Sequence, residues 1–369
     1  MDILFMIVSA VFTIGFLVFI HEGGHYLAAR AFGVRVTEFM LGLPGPSIGF
    51  TKAGTRFGVT AVPLGGYAKV CGMECDPIDE NIQPVLNCVY RSGSITLDEV
   101  AQRCNIDQED AQNALDQLVE WGSVIAPTRK DTQEVYRTPA VQPTRKQRRQ
   151  AARLCALAPA VQPMGAPRIV DSAEALFKRE LSQQYRNLPF WKRSVILLAG
   201  IAANLIFAIV AFILIYSVIG FDVSHPDTGE IVHVIVSPDK AITAGFTYIG
   251  MTIQAILGLF NPATAAQTVS NSTSIVGIAV MSADYFAAGV AEALFFMAII
   301  SVSLGLMNLL PIPPLDGGRF VVEVFQKISR RQVSTRVMGY LSLVGMTLFI
   351  GLFVIMLNQD VQRFIFGNW

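Results

Sequence analysis

The sequence is poor in charged residues, since Asp, Glu, Lys and Arg make up only 15% of its 369 positions. An ordinary soluble domain carries about 25%. Hydrophobic residues make up 52%. The formal net charge is zero, so the total charge indicates neither nucleic acid nor a strongly acidic partner. This composition fits either a very apolar enzyme or several membrane spans, and the distribution of the apolar residues decides between them.

The N-terminus lacks the basic residues and the small-residue cleavage site of a secretory signal. Asp2 is the only early charge, and the apolar block 3–20 continues directly into His21 and Glu22. The block is about as long as a bilayer requires, so we expect a retained span. Three further spans are predicted at about 194–220, 291–310 and 337–357. The fold class predicted is an α-helical polytopic membrane protein with about four transmembrane helices.

A fifth apolar stretch, residues 241–260, is ambiguous by its length. Basic residues concentrate between the first and second spans and between the third and fourth, as they do in cytoplasmic loops. With four spans these two loops share one side, whereas a fifth span at 241–260 would separate them. We therefore expect 241–260 to be an apolar helix at the outer face, and the acidic segment 221–240 to lie outside.

The five cysteines do not have the spacing of a zinc ribbon. Cys71 and Cys75 form a lone pair, and no second pair follows. We interpret all five as reduced thiols of a cytoplasmic segment: Cys71, Cys75, Cys88, Cys104 and Cys155.

At the end of its first span the chain carries His21-Glu22-Gly23-Gly24-His25. Residues i and i+4 of a helix share a face, so both imidazoles can reach one metal ion. Glu22 stands where it can take a proton from water at that metal. Ionisable groups at a membrane helix are costly and usually functional. The pattern favours a catalytic zinc site, and the alternative is a helix end whose histidines only reach the lipid headgroups.

A catalytic zinc needs a third protein ligand, and Asp316 is the candidate. It is the only acid near the C-terminal end of the third span, and it lies in the run 308–318, which is rich in proline and glycine. Such a run interrupts a helix. Interrupted backbone at membrane depth is tolerated only inside protein or beside a water-filled cavity. The other interpretation of this run is a solvated turn that ends span three.

Together these motifs resemble the site-2 protease family of intramembrane metalloproteases. Residues 21–25 and 308–318 carry its two metal motifs, 62–67 is similar to its membrane-associated β-loop, and 199–204 to a motif of its second core span. Ile201 stands where that last motif has proline. The resemblance covers about 1–73 and 188–358. It implies Zn²⁺ as cofactor, with His21, His25 and Asp316 as ligands and Glu22 as the general base.

The resemblance also implies roles in substrate binding. Asn308 would hold the substrate backbone or the developing oxyanion, as a side-chain amide can. Asn204 would serve similarly, or would be an amide that packs helices. Gly65 and Gly66 belong to the β-loop, where residues 56–61 and 66–70 predict a membrane-associated β-hairpin. The edge of that hairpin could pair with an unwound substrate helix by strand addition.

The chain inserts a predicted module, residues 74–140, after the β-loop. Helices are expected at 78–90, 97–104 and 108–121, with Ser94 and Asp107 as N-caps and Asn105 as a stop. A hairpin at 124–138 would complete a small α+β winged-helix-like unit. The helix that would enter a DNA groove has no Lys or Arg but four acids: Glu109, Asp110, Asp116 and Glu120. We therefore expect no nucleic acid but a protein or ligand partner of the insert.

Residues 141–187 are predicted as a linker followed by an amphipathic helix. The linker has a basic run, 144–153, and a Pro/Ala-rich run, 158–167, and the helix is expected at 176–192. The basic run either rests on anionic headgroups or is a soluble tether. Residues 1–73 and 188–369 would form the membrane core. Between the second and third spans only residues 229–240 indicate strand, which is too short for the PDZ-like domain that many bacterial relatives carry.

Three functions remain open at this stage. The first is an intramembrane zinc metalloprotease of the cell membrane, with its active site toward the cytoplasm, that cuts a single-span membrane protein within the bilayer. Its substrates would be membrane-anchored regulators or remnant signal peptides. The second is a membrane scaffold or transporter without metal, and the third is an inactive protease that binds transmembrane helices. The complete set of His21, Glu22, His25 and Asp316 favours the first.

Overall fold

The structure is a computed structural model that describes residues 3–62, 65–73, 77–128, 131, 134–141, 161–224, 231–270 and 272–364. Within these residues, five helices are long and apolar enough to cross a membrane. They are α1 (Ile3–Ala31), α6 (Phe190–Ile213), α7 (Pro238–Gly258), α10 (Val290–Asn308) and α12 (Thr335–Phe364). A π-helical segment, Leu214–Ile219, continues α6. The protein is a helical, multi-pass membrane protein.

Four of these helices lie where spans were predicted. α1 continues past the predicted end at residue 20, so His21, Glu22 and His25 belong to the same unbroken helix as the apolar block. α6 begins at Phe190, four residues before the predicted start. The fifth helix, α7, covers most of the apolar stretch 241–260.

Two shorter helices after α7 were not predicted: α8 (Ala265–Ser270) and α9 (Ile275–Ala288). α9 lies along the N-terminal half of α1. Ser9 Oγ is 3.0 Å from Ser282 Oγ, and the rings of Phe12 and Phe286 meet edge to face. With 14 residues, α9 is too short to be recognised as a span by its length.

The backbones of α1 and α6 approach closely because small residues face each other. A Cβ atom on Gly24 would lie 2.4 Å from the carbonyl oxygen of Ala199, closer than any real contact. The neighbouring Gly23 has open space around its Cα. Small residues at helix interfaces are the usual means of close packing in membranes. The packing places the histidine face of α1 directly against α6.

A four-stranded sheet follows α1: β1 (Val36–Leu41), β2 (Ser47–Lys52), β3 (Thr55–Thr60) and β4 (Gly66–Val70). The strand order is β2-β3-β1-β4, with β1 and β3 parallel and the other pairs antiparallel. The predicted hairpin of 56–61 with 66–70 is therefore wrong. Phe39 of β1 lies between Phe57 and Ala68, and its side chain is buried. β4 thus becomes an edge strand of the sheet within the described residues.

The inserted module contains the three predicted helices, α2 (Ile82–Ser92), α3 (Leu97–Cys104) and α4 (Gln108–Glu120). Strand β5 (Ser94–Thr96) pairs with β6 (Val135–Arg137), and Arg137 also pairs with Ile125. The tip of the predicted hairpin includes residues 129, 130, 132 and 133, which lie outside the described residues. Apolar side chains of the helices and of Tyr136 form one buried core.

Of the predicted cap and stop residues in the module, Asp107 and Asn105 are confirmed and Ser94 is wrong, and α2 begins at Ile82 rather than at residue 78. Asp107 caps α4 by accepting from the backbone NH of Asp110, and Asn105 ends α3 in the left-handed conformation. α3 is capped by Thr96 in a reciprocal pair with Glu99, whereas Ser94 lies in β5. A strand runs up to the helix here, which moves the cap two residues along the chain.

The module extends beyond the predicted boundary at residue 140. Helix α5 (Ala173–Leu181) packs onto its core through Leu176, and the guanidinium of Arg168 lies over the ring of Tyr90. The predicted helix 176–192 is interrupted, because α5 ends at Leu181 and a 3-10 turn (Tyr185–Asn187) precedes α6. The predicted basic run, 144–153, and the first part of the Pro/Ala-rich run fall outside the described residues.

A buried ion pair joins the module to the membrane core. Arg35, between α1 and β1, donates to Glu180 Oε2 of α5 at 2.7 Å and to the carbonyl oxygen of Trp121 at 3.2 Å. Burial alone would raise the pKa of Glu180, but Arg35 and the hydroxyl of Ser123 hold that pKa below its usual value. The module is therefore fixed to the start of the sheet.

The described cysteines are free thiols, as predicted: Cys71, Cys88 and Cys104. Cys71 lies at the end of β4, and burial raises the pKa of its thiol to about 11. A thiol with that pKa is inert near neutral pH. Cys75 and Cys155 lie outside the described residues.

The close packing of α1 on α6 predicts opposite results for two adjacent glycines. Gly24→Ala places a methyl group against the backbone of Ala199 and should destabilise the protein by about 1–3 kcal/mol, as overpacking does. Gly23→Ala meets open space and should leave the thermal midpoint unchanged or slightly higher. Thermal unfolding of both purified variants measures the difference. Equal destabilisation by the two would contradict the packing described here.

Candidate metal centre

Three side chains from two distant parts of the sequence converge beside the C-terminal part of α1. Asp316 Oδ2 lies 3.0 Å from His21 Nε2 and 3.0 Å from His25 Nε2, and the two nitrogens are 3.3 Å apart. Both histidines are buried. Among the described residues, this is the one group of His, Cys, Asp and Glu side chains close enough to hold a metal ion.

The spacing and chemistry of these donors fit zinc. Bonds of about 2.0–2.1 Å in a tetrahedral site separate the donor atoms by roughly 3.3 Å. Two imidazole nitrogens and a carboxylate oxygen are also a donor set that zinc accepts, and they leave a fourth position open. The three predicted ligands are thus brought together, and their role as ligands is a proposal taken up below.

The outer hydrogen bond of His25 fixes its ligating nitrogen. His25 Nδ1 lies 2.8 Å from the carbonyl oxygen of Ile196 on α6, so Nδ1 must carry the proton and donate it. Nε2 then presents a lone pair toward Asp316 and His21. Such outer partners set the tautomer and orientation of metal-binding histidines. No sequence pattern indicates Ile196, because a backbone carbonyl acts here rather than a side chain.

The side chain of Asn204 orients His21 in the same way, by contacting its Nδ1. The amide of Asn204 is fully buried on α6, and its nitrogen is placed 3.3 Å from His21 Nδ1. Its Oδ1 has no hydrogen-bond partner. If Nε2 of His21 binds metal, Nδ1 carries the proton and needs an acceptor, which the amide supplies once its oxygen and nitrogen are exchanged. A metal at this site therefore gives the orphaned oxygen of Asn204 a partner.

Gly200 lets α6 approach the two imidazoles. A Cβ atom at this position would lie 2.3 Å from His25 Nε2 and 2.9 Å from His21 Cε1. Gly200 is part of the motif at 199–204, but the sequence alone did not indicate which of its residues faces the histidines. Its role follows only from the helix packing.

Asp316 is the first residue of α11 (Asp316–Ser329). The predicted break in regular helix is confirmed: α10 ends at Asn308, and α11 starts after the proline-rich segment. Cβ atoms on Gly317 and Gly318 would clash with the carbonyl oxygen of Leu309 and the nitrogen of Pro313. The two glycines therefore allow the start of α11 to lie directly on that segment.

A cleft of about 590 Å³ opens beside the three donors. Glu22, His25 and Asp316 line it together with the whole of β4. On the other side, Met338 and Ser342 of α12 complete the wall. Glu22 therefore shares a cavity with two of the candidate ligands, where its carboxylate can reach a reacting group.

The glycines predicted for substrate binding lie beside this cleft. Gly66 begins β4, and a Cβ atom there would lie 2.6 Å from Val18 Cγ1 and 3.4 Å from Glu22 Cγ. Gly65 precedes it with φ of 81°, a conformation that favours glycine. The absence of side chains lets the start of β4 lie directly on α1, next to Glu22.

Asn308 is placed differently from the other predicted residues. It ends α10, and its Nδ2 donates to the carbonyl oxygen of Leu304 within the same helix, at 3.0 Å. It is not among the residues that line the described cleft. Its catalytic role stays a prediction and requires the side chain to exchange this internal hydrogen bond for one to substrate.

Gly200→Ala should weaken metal binding more than it weakens the fold. The added methyl group would overlap His25 Nε2, and displaced imidazoles would no longer converge with Asp316. We expect loss of stoichiometric zinc from the purified protein, measured by elemental analysis after dialysis. Gly15→Ala, at an open position on α1, is the matched control and should retain zinc. Full zinc content in Gly200→Ala would contradict the placement of the two histidines.

Comparison with known proteins agrees with this site. Residues 9–352 match the family described as Peptidase family M50. A zinc metalloprotease of Geobacillus kaustophilus, RasP, is 23% identical and the alignment covers 97% of this chain and 98% of that protein. A protein of Agrobacterium fabrum, provisionally named a zinc metalloprotease, is 25% identical over 97% of this chain and 96% of its own length. The chain therefore belongs to peptidase family M50, the site-2 protease family, and is a zinc-dependent metalloendopeptidase of the membrane.

Proposed function

We propose that this metalloprotease hydrolyses a peptide bond in or next to the transmembrane segment of a membrane-anchored protein. The observation that carries the proposal is the convergence of His21, His25 and Asp316 beside Glu22, on helices of the membrane core. These residues would hold a zinc ion and its water at the depth where a transmembrane substrate has its peptide bonds. Membrane-anchored regulators and remnant signal peptides are the substrates we expect, as in regulated intramembrane proteolysis.

In this proposal each polar side chain of the centre has one task. His21, His25 and Asp316 hold the zinc ion, with Ile196 and Asn204 orienting the two imidazoles. Zinc, when bound, lowers the pKa of its water toward neutrality and polarises the scissile carbonyl. Glu22 accepts the proton from the attacking water and later delivers it to the leaving amine.

Strand β4 is the proposed docking site for the substrate. It pairs with β1 on one side and lines the cleft with residues 66–70. A helical substrate must unwind before hydrolysis, because its carbonyl groups are engaged within the helix. An unwound segment can add to the edge of β4 by backbone hydrogen bonds, which would place a peptide bond next to Glu22.

Four spans, rather than five, agree best with the contacts at the outer side. Met338 and Ser342 of α12 line the cleft, and Asp360 follows about 27 Å farther along that helix. There Asp360 accepts from the backbone NH groups of Ser274 and Gly277 at the start of α9. The start of α9 therefore lies at the end of the membrane core away from the cleft.

We place both ends of α7 at that same outer end. Its first turn follows a hairpin, β7 (Phe221–Ser224) and β8 (Ile231–Val234), at the far end of α6. Its last residue, Gly258, accepts from Thr264 Oγ1, and α8 then leads to Ser270, whose carbonyl oxygen accepts from Arg363. A helix with both ends on one side does not cross. We therefore propose that α7 lies along the outer face, as the basic residues of the two loops predict.

With four spans, the basic loops and the metal centre lie toward the cytoplasm. This orientation fits a protein of the cell membrane that cuts near its inner face. We further propose that the inserted module is winged-helix-like and binds a protein or ligand partner rather than DNA. The exposed side of α4 carries acids where phosphate neutralisation would require Lys or Arg.

Cleavage of a model single-span protein, trimmed on its outer side, tests the proposed function. Glu22→Gln should lower the cleavage rate by about 10²–10⁴-fold, because the general base is lost. A membrane-permeable zinc chelator should abolish wild-type cleavage. Glu292→Gln, a neutralised acid in the first turn of α10, is the matched control and should cleave like wild type. Cleavage by Glu22→Gln at the wild-type rate would rule out Glu22 as the base.

An inactive scaffold gives a different result in the same experiment. It would retain the trimmed substrate uncut, with or without chelator, and Glu22→Gln would bind it as wild type does. That outcome would favour the alternative of a protein that only binds transmembrane helices.

The topology predicts which positions can be labelled from outside intact cells. Asn261→Cys, just after α7, should react with a membrane-impermeant maleimide, because we place it on the outer face. Ser329→Cys, at the end of α11, should react only after permeabilisation, and so should the native cysteines of the insert. Protection of Asn261→Cys in intact cells would show that α7 crosses the membrane.

A further inference from the structure

Helix α11 carries, besides Asp316, a buried acid, Glu323, which the proposed mechanism does not use. It is 4% exposed. Asp316 opens the helix and Glu323 follows two turns later, so both lie on the same face. A carboxylate in such a place is costly unless it is paired. The residues that pair with Glu323 therefore indicate which parts of the structure it joins.

Two arginines from outside α11 hold Glu323. Arg193 Nη1, in the first turn of α6, lies 3.1 Å from Oε2, and Arg186 Nη1, in the 3-10 turn, lies 3.3 Å from Oε1. Arg186 also donates to Gln326 Oε1 of α11 at 3.1 Å and to the carbonyl oxygen of Met73 at 3.3 Å. The second and third turns of α11 are thus tied to the start of α6 and to the 3-10 turn that precedes it.

The same helix α6 fixes the other ligands. Ile196 and Asn204 orient His25 and His21, and Gly200 lies against both rings. Arg193 stands one turn before Ile196 on this helix. α6 therefore positions all three donors. It holds the histidines by hydrogen bonds, and it holds the helix that bears Asp316 by an ion pair.

Asp316 itself has no comparable anchor. Its described side-chain partners are His21 and His25, the other two donors. The N-terminus of α11 has no side-chain cap, and Gly317 and Gly318 provide close packing but no side-chain contact of their own. The position of the carboxylate consequently depends on where α11 lies.

We propose that Glu323 is a positioning residue for Asp316. Its ion pairs with Arg186 and Arg193 hold α11 against α6, so that the Asp316 carboxylate meets His21 and His25 with the spacing a zinc ion requires. The inference rests on the proposed metal site and assigns no contact between Glu323 and substrate or metal. It also makes Arg186, at the exit of the insert, part of the support of that site.

Zinc affinity of the full-length, detergent-purified protein tests this role. We expect Glu323→Gln to bind Zn²⁺ about 10-fold more weakly than wild type in competition with a chromophoric chelator, the lower end of the loss caused by removing a ligand's direct partner. The measurement is made well below the thermal midpoint of each variant. Peptidase activity lost by the variant at limiting zinc should return, at least in part, when zinc is raised.

Glu180→Gln is the matched control. Glu180 is a similarly buried carboxylate paired with an arginine, Arg35, but it lies on α5 and not on the helix of Asp316. It should lower the thermal midpoint and leave zinc affinity unchanged. If Glu323→Gln does not fold, Arg186→Gln leaves Glu323 paired with Arg193 and should show a smaller loss of affinity in the same direction.

Wild-type zinc affinity in Glu323→Gln or Arg186→Gln, whatever the thermal midpoint, would overturn the positioning role. An equal loss of affinity in Glu180→Gln would also overturn it, because any buried ion pair would then have the same effect. A wild-type protein that binds no zinc would instead contradict the proposed metal centre itself. The failure of this inference and the failure of the proposed function are thus distinguishable.

Discussion

The close contact between α1 and α6 is the constraint on which the rest of the structure depends. Gly24 and Gly200 allow the two backbones to approach, and the face of α6 then supplies the outer hydrogen bonds of His21 and His25. In a membrane, lipid tails are as apolar as Leu, so such packing rests on small residues and specific polar contacts. The centre is therefore a product of helix packing as much as of the histidine motif.

The sequence predicted the parts of this architecture that depend on local pattern. Long apolar runs indicated the helices of the core, and the i, i+4 spacing of His21 and His25 indicated a shared face. The proline-rich run before Asp316 correctly predicted an interruption of regular helix, whereas the new helix that begins at Asp316 was not predicted. Asp107 and Asn105 marked the ends of helices in the insert because capping is also a local property.

What the sequence did not predict depends on contacts between distant segments. β1 separates β3 from β4, and no local pattern distinguishes that order from a simple hairpin. The packing of α5 on the insert, and the carbonyl group of Ile196 behind His25, involve residues with no distinctive chemistry. Asn204 was recognised by its motif, but its position behind His21 emerged only from the packing of α6. These contacts define how the ligands are held, which a motif cannot specify.

X-ray absorption spectroscopy at the zinc edge of the purified protein tests the central claim most directly. The account predicts one zinc per chain, surrounded only by nitrogen and oxygen at about 2.0–2.1 Å, with the outer-shell scattering of two imidazoles. A sulfur ligand at about 2.3 Å would place the metal on the cysteines instead. That result would contradict a centre built by His21, His25 and Asp316.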